Sequence, residues 1–168
     1  MKLDWPDSHF LEAAQAWLEW GKHLEANEEL ENISPEMRAH PDVLELRSEI
    51  YFREKLWAYC LEVSDALVQS RPENLTGWIH RSFALHELKR TQQAFDDLRP
   101  AAARFPKIWT IPYNLACYCA QLNRLEDAAE WFKQAMARDK ETVSMEAIDD
   151  EDLKPLWDSM SGTLWCRE

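Results

Sequence analysis

Small and apolar residues recur along this chain with a fixed step of 34 positions. Cut at residues 7, 41, 75 and 109, the sequence falls into four units, 7–40, 41–74, 75–108 and 109–142, which align without a gap. The eighth place of the units holds Ala14, Ser48, Ser82 and Ala116, and the twentieth holds Ala26, Cys60, Ala94 and Ala128. All eight are small. The eleventh place holds Trp17, Tyr51, Leu85 and Cys119, the twenty-fourth Leu30, Ser64, Leu98 and Phe132, and the twenty-seventh Ile33, Leu67, Ala101 and Ala135. Pro72 and Pro106 close the second and third units at the thirty-second place. The apolar and small places follow i, i+3, i+4, i+7 spacing twice per unit, which predicts two amphipathic helices in each. The small columns mark where those two helices cross, since backbones approach closely only where side chains are short.

The fourth unit carries the pattern most fully, as Tyr113-Asn114-Leu115-Ala116, then Leu125-Glu126-Asp127-Ala128-Ala129, then Phe132, Ala135 and Asp139. On these residues the chain resembles the tetratricopeptide-repeat family, over residues 7–142. The resemblance implies an all-α fold, a right-handed α-α superhelix of four helix-turn-helix units followed by C-terminal capping helices, with residues 1–168 as a single domain. Two features depart from the family. Arg47 and Arg81 stand at the seventh place, where the family has a large apolar residue. Either their stems pack and their heads reach nearby carboxylates, or the two hold an anionic group at the surface. Pro100 falls inside the second helix of the third unit, where it removes a backbone bond, so a kink or an early helix end is expected.

Beyond residue 142 the period stops. Glu141–Ile148 reads as one short helix, and Leu153, Leu156 and Trp157 are spaced for another, with Asp152 as its cap and Pro155 in its first turn. Residues 143–160 are expected to cover the exposed face of the last unit, as the end of a repeat array must be covered. Residues 161–168 read as a loose tail.

Charge and composition narrow the function. The chain has 19 basic and 31 acidic residues, a net −12, which disfavours nucleic acid and anionic membrane as partners. The acid is concentrated at the two ends. Residues 1–50 carry 4 basic and 12 acidic residues, whereas residues 51–110 carry 9 and 7. With 3 glycines there is no glycine-rich phosphate loop. The first ten residues, MKLDWPDSHF, lack the apolar stretch of a signal peptide, and no run is long enough to span a membrane. Cys60, Cys117, Cys119 and Cys166 are too sparse for a disulfide framework and read as reduced thiols of a cytoplasmic protein.

No enzyme signature, cofactor or metal set emerges. Cys117 and Cys119 lie two apart on one helix and point to different sides, and His80 and His86, six apart, also fall on different faces. The tryptophans have packing roles: Trp17 and Trp78 in the buried places, Trp131 beside Phe132, Trp57 and Trp109 at helix starts.

What the resemblance adds is a surface. In the family the first helices line a groove at places 2, 5, 9 and 12. Here those places hold Ser8, Leu11, Gln15 and Leu18, then Asp42, Glu45, Glu49 and Phe52. The third unit supplies Thr76, Ile79, Phe83 and His86, and the fourth Thr110, Tyr113, Cys117 and Ala120. Some family members clamp a peptide carboxylate there with Lys, Arg and Asn; only Asn114 matches, so that role is not implied. The expected function is a non-catalytic module that binds a protein or peptide. Phe52, Ile79, Phe83 and Tyr113 would be its apolar anchors, and Asp42, Glu45 and Glu49 would select a basic flank. The alternatives are a homo-oligomeric structural protein, such as a homodimer, with the groove covered by a second copy or by the chain's own tail, and a chaperone-like holder of clients.

Overall fold

The computed structural model describes residues 2–165, with side chains to residue 160. Among these there is no strand. The helices are α1 (Asp7–Glu19), α2 (His23–Glu31), α3 (Pro41–Arg53), α4 (Trp57–Ser70), α5 (Leu75–Glu87), α6 (Thr91–Leu98), α7 (Ala101–Arg104), α8 (Thr110–Gln121), α9 (Leu125–Arg138), α10 (Lys140–Glu146) and α11 (Lys154–Trp165). Short 3-10 turns lie at Pro35–Met37 and Glu151–Leu153. Contacts divide the chain into two compact units, Met1–Ala84 and Leu85–Glu168, with the boundary inside α5.

In the first compact unit α1 packs on α2 and α3 on α4; in the second, α8 packs on α9. The small columns are fully buried. Ala14, Ala26, Ser48, Cys60, Ser82, Ala94, Ala116 and Ala128 are all 0% exposed. A hydroxyl in such a place needs a partner. Ser48 Oγ donates to the carbonyl of Glu45 at 2.9 Å and Ser82 Oγ to that of Ile79 at 3.0 Å, each one turn back on its own helix.

The period extends to the backbone of the turns. The fifteenth place of the four 34-residue windows is Gly21, Lys55, Lys89 and Asn123, and all four have positive φ, from 56° to 72°. In each turn the next N–H bonds the carbonyl five residues back: Lys22 to Trp17, Leu56 to Tyr51, Arg90 to Leu85 and Arg124 to Cys119, at 2.8–2.9 Å. This is the Schellman termination, in which a left-handed residue lets the chain reverse while satisfying the last carbonyls of the helix.

Pro100 acts as its ring chemistry requires: α6 stops at Leu98 and the chain turns through Arg99 and Pro100 before α7. Three details differ from the sequence expectation. The helix after the last repeat starts at Lys140, because the Asp139 carboxylate accepts both the N–H and the hydroxyl of Thr142, at 3.1 and 2.7 Å. Asp152 does not cap the final helix; the Asp150 side chain accepts from Asp152 N at 2.9 Å and starts the 3-10 turn that leads into α11. Residues 161–165, expected to be loose, continue α11. With Pro155 spent in the first turn, no second proline follows to stop the helix. The remaining tail residues, Cys166 to Glu168, lie outside the described residues.

Candidate functional site

On the first compact unit the first helices leave an open cleft of about 530 Å³. Its lining comes from α1 (Leu11, Gln15, Leu18, Glu19), α3 (Asp42, Glu45, Leu46, Glu49, Arg53) and Thr76 of α5. The structure thus brings together seven of the residues singled out from sequence: Leu11, Gln15, Leu18, Asp42, Glu45, Glu49 and Thr76. Four carboxylates against one guanidinium leave this lining at a net −3.

Three of the four acids are held rather than free. Arg71 donates to Asp42 at 2.6 Å and lies 3.9 Å from Glu45. Thr76 donates to Glu45 at 3.3 Å, and Arg53 to Glu49 at 2.6 Å. Arg53 also donates to the Leu18 carbonyl at 3.2 Å, tying α3 to α1. The guanidinium groups already seated on these carboxylates show the chemistry the cleft accepts: flat cations beside an aliphatic floor of Leu11, Leu18 and Leu46.

The aromatic anchors expected in the groove are half-buried against one another. Phe52 stacks on His80 at 4.4 Å and meets Phe83 at 5.0 Å, while Trp57 touches both, at 5.7 Å to Phe52 and 5.6 Å to Phe83. Ile79 is likewise half-buried. Ser48, His80 and Glu49 form a chain of contacts, 3.1 Å from Ser48 Oγ to His80 Nδ1 and 3.3 Å from His80 Nε2 to Glu49. The residue types suit nucleophilic catalysis, but Ser48 is 0% exposed, so a substrate cannot reach its hydroxyl. Burial pushes the His80 pKa down, with Glu49 working against it.

In the second compact unit the groove places are covered. Thr110 begins α8 and is half-buried. Tyr113 and His86 are buried, both bonded to the segment after α10. Tyr113 OH donates to Asp150 Oδ2 at 2.6 Å, and the Cys117 thiol lies 3.5 Å from the same oxygen. His86 Nε2 sits 3.1 Å from Asp152 Oδ2, and Gln121 donates to the Asp152 carbonyl at 3.0 Å. A carboxylate only accepts, so His86 donates from Nε2 to Asp152, and its Nδ1 lies 3.0 Å from the Thr91 hydroxyl. Leu153 and Leu156 follow into the core at 0% and 2% exposure, each worth about 1.5–3 kcal/mol of apolar burial. Burial and the neighbouring Asp150 hold the Tyr113 hydroxyl and the Cys117 thiol far above their ordinary values.

The other described thiols are equally inert, since burial raises Cys60 and Cys119 to about 11. Arg47 and Arg81 take the first of their two sequence readings. Arg47 donates to Glu31 at 2.7 Å and Arg81 to Asp65 at 3.1 Å, with Arg81 also over the Trp78 ring. Among the described residues no three His, Cys, Asp or Glu side chains cluster to hold a metal, and no helix is long and apolar enough to cross a membrane.

Sequence reasoning missed Glu19, Leu46 and Arg53 in the cleft and Asp150 and Asp152 over Tyr113 and His86. Glu49 followed by Arg53 is an i, i+4 pair that signals the first. Nothing local signals the second, for 37 residues separate Asp150 from Tyr113.

No family model matches the chain, and no curated protein does. Solved structures do. MamA residues 41 to the end from Desulfovibrio magneticus RS-1 is 16% identical at TM-score 0.76, over 97% of this chain and 96% of that one. The structure of MamA MSR-1 C2 is 20% identical at 0.71, over 79% and 76%, and the TPR domain of Arabidopsis OM64 is 19% identical at 0.61, over 76% and 98%. With the helices and turns described above, these show the fold: an all-α helical repeat of the tetratricopeptide type.

Proposed function

We propose that this protein is a non-catalytic interaction module whose α1–α3–α5 cleft binds an extended segment of a protein partner. The observation that supports this reading is the lining itself, an aliphatic floor of Leu11, Leu18 and Leu46 edged by Glu19, Asp42, Glu45 and Glu49. That pairing fits a segment with one or two aliphatic anchors beside Arg or Lys. Arg71 and Arg53 already occupy Asp42 and Glu49, and Glu45 takes the Thr76 hydroxyl with Arg71 3.9 Å away, so the partner's cations gain affinity chiefly at Glu19. The free, buried thiols Cys60, Cys117 and Cys119 favour a reducing compartment, and the cytoplasm is the proposed location.

Selection of random displayed peptides on the full chain tests this. Enriched sequences are expected to combine Leu, Ile or Val with Arg or Lys, and to lose binding about tenfold or more with Leu46→Glu, at unchanged helical circular dichroism. Peptides without basic residues, or binding indifferent to Leu46→Glu, would sink the cleft assignment. A sedimenting mass of twice the monomer that Leu46→Glu returns to one would instead assign the cleft to self-association. Retention of many unrelated apolar peptides would assign it to client holding.

A further inference from the structure

We propose that the face formed by His86 at the end of α5 and by Tyr113, Cys117 and Gln121 of α8 is a second binding site, a receptor for acidic–aliphatic segments of a partner protein, closed in this chain by residues 150–153. The proposal concerns the second compact unit and does not rest on the cleft of the first. The groups of this face are arranged as a receptor is. Tyr113 OH and the Cys117 thiol converge on one carboxylate oxygen of Asp150 at 2.6 and 3.5 Å, His86 Nε2 faces Asp152 at 3.1 Å, and the Gln121 amide fixes the Asp152 carbonyl at 3.0 Å. Two carboxylates two residues apart, then a leucine that becomes fully buried, make up the seated pattern Asp150-Glu151-Asp152-Leu153. The seated segment therefore defines the ligand chemistry: Asp-x-Asp followed by an aliphatic residue.

Two further observations favour exchange with a partner. The stretch that leads into the segment is exposed, Ile148 at 76%, with Asp149 beside it also exposed. Next to Asp152 opens a cavity of about 510 Å³, lined by Lys89, Arg90, Gln92, Gln93 and Gln121 among others. The internal segment turns away into α11 and leaves that cavity open. A partner with more acid beyond the Asp-x-Asp gains Lys89 and Arg90, which the internal segment does not use. It needs that gain, because a tethered competitor acts at roughly millimolar effective concentration.

The probe is a fluorescent synthetic peptide with the sequence of residues 149–158, titrated against the full chain and against Asp150→Ala/Asp152→Ala. The opened variant is expected to bind at least about tenfold tighter than wild type, and to lose that binding when His86→Ala is added or when the peptide carries asparagine in place of Asp150 and Asp152. Equal binding to wild type and variant, no binding to a variant of unchanged helical circular dichroism, or binding indifferent to His86→Ala would each overturn the proposal. If the opened variant fails to fold, the wild-type chain nicked at an engineered protease site between Ile148 and Asp149 answers the question. A labelled peptide of residues 149–168 is expected to exchange into it, and failure to exchange at excess peptide overturns the proposal.

Discussion

His80 is a buried imidazole whose neighbours are Phe52 on its face, Ser48 on Nδ1 and Glu49 on Nε2. Glu49 and Glu45 favour its charged form, Arg53 and burial oppose it, and burial dominates, so its folded pKa lies below 6.5. A histidine held neutral binds fewer protons folded than unfolded. Its contribution to stability is therefore present above about pH 6.5 and is lost as pH falls below that value. Chemical denaturation from pH 7.5 down to 5 is expected to show this loss, and His80→Gln to flatten it. A slope unchanged by His80→Gln would assign the acid sensitivity to other groups. The same residue shows where sequence reading stopped. Nothing in its immediate neighbours distinguishes His80 from a surface histidine, because Ser48 and Phe52 lie roughly thirty residues away and one 34-residue period back.

At the scale of elements, each helix pair depends on a turn that must pass through the left-handed region. Gly21 meets this at little cost, since it has no Cβ. Lys55 and Lys89 occupy the same backbone at φ 56° and 63°, at about 1–2 kcal/mol each. Glycine there also widens the unfolded ensemble, which offsets part of the gain. Lys55→Gly and Lys89→Gly are each expected to stabilise the chain by about 0.5–1 kcal/mol, read as a higher denaturant midpoint at constant slope. The helices themselves were legible, since a period of 34 residues with two 3.6-residue stripes leaves little choice. The turns were legible only in position: lysine at a left-handed residue carries no signature. The final helix was misjudged at both ends, because its start depends on which of several adjacent aspartates reaches back to an N–H.

For the whole molecule, repetition also distributes charge. The twenty-fifth place of one window and the seventh of the next pair twice, Glu31 with Arg47 and Asp65 with Arg81. Both pairs span 16 residues, a spacing visible in the sequence once the period is known. The acids are about half exposed, so each pair is worth little, while the arginine stems are mostly buried. Double-mutant cycles are expected to give about 1 kcal/mol or less of coupling for Glu31–Arg47, with Arg47→Ala costing more than Arg47→Met because the stem is lost. A coupling well above that would mean the pair is shielded from water. The candidate cleft was half legible for a related reason. Places carried over from the family found three of its four acids, but which of them are already bonded to Arg53 and Arg71 depends on how the helices pack.

The order in which the chain is made gives the covered face of α8 a history. Asp150 follows Tyr113 by 37 residues. At a synthesis rate of 5–20 residues per second, Tyr113 is made about 2–7 s before its cover. Until Asp150 and Asp152 are made, a partner that reaches Tyr113 and His86 has no tethered segment to displace. The cover thus works as a timer, admitting partners early and asking latecomers to displace it.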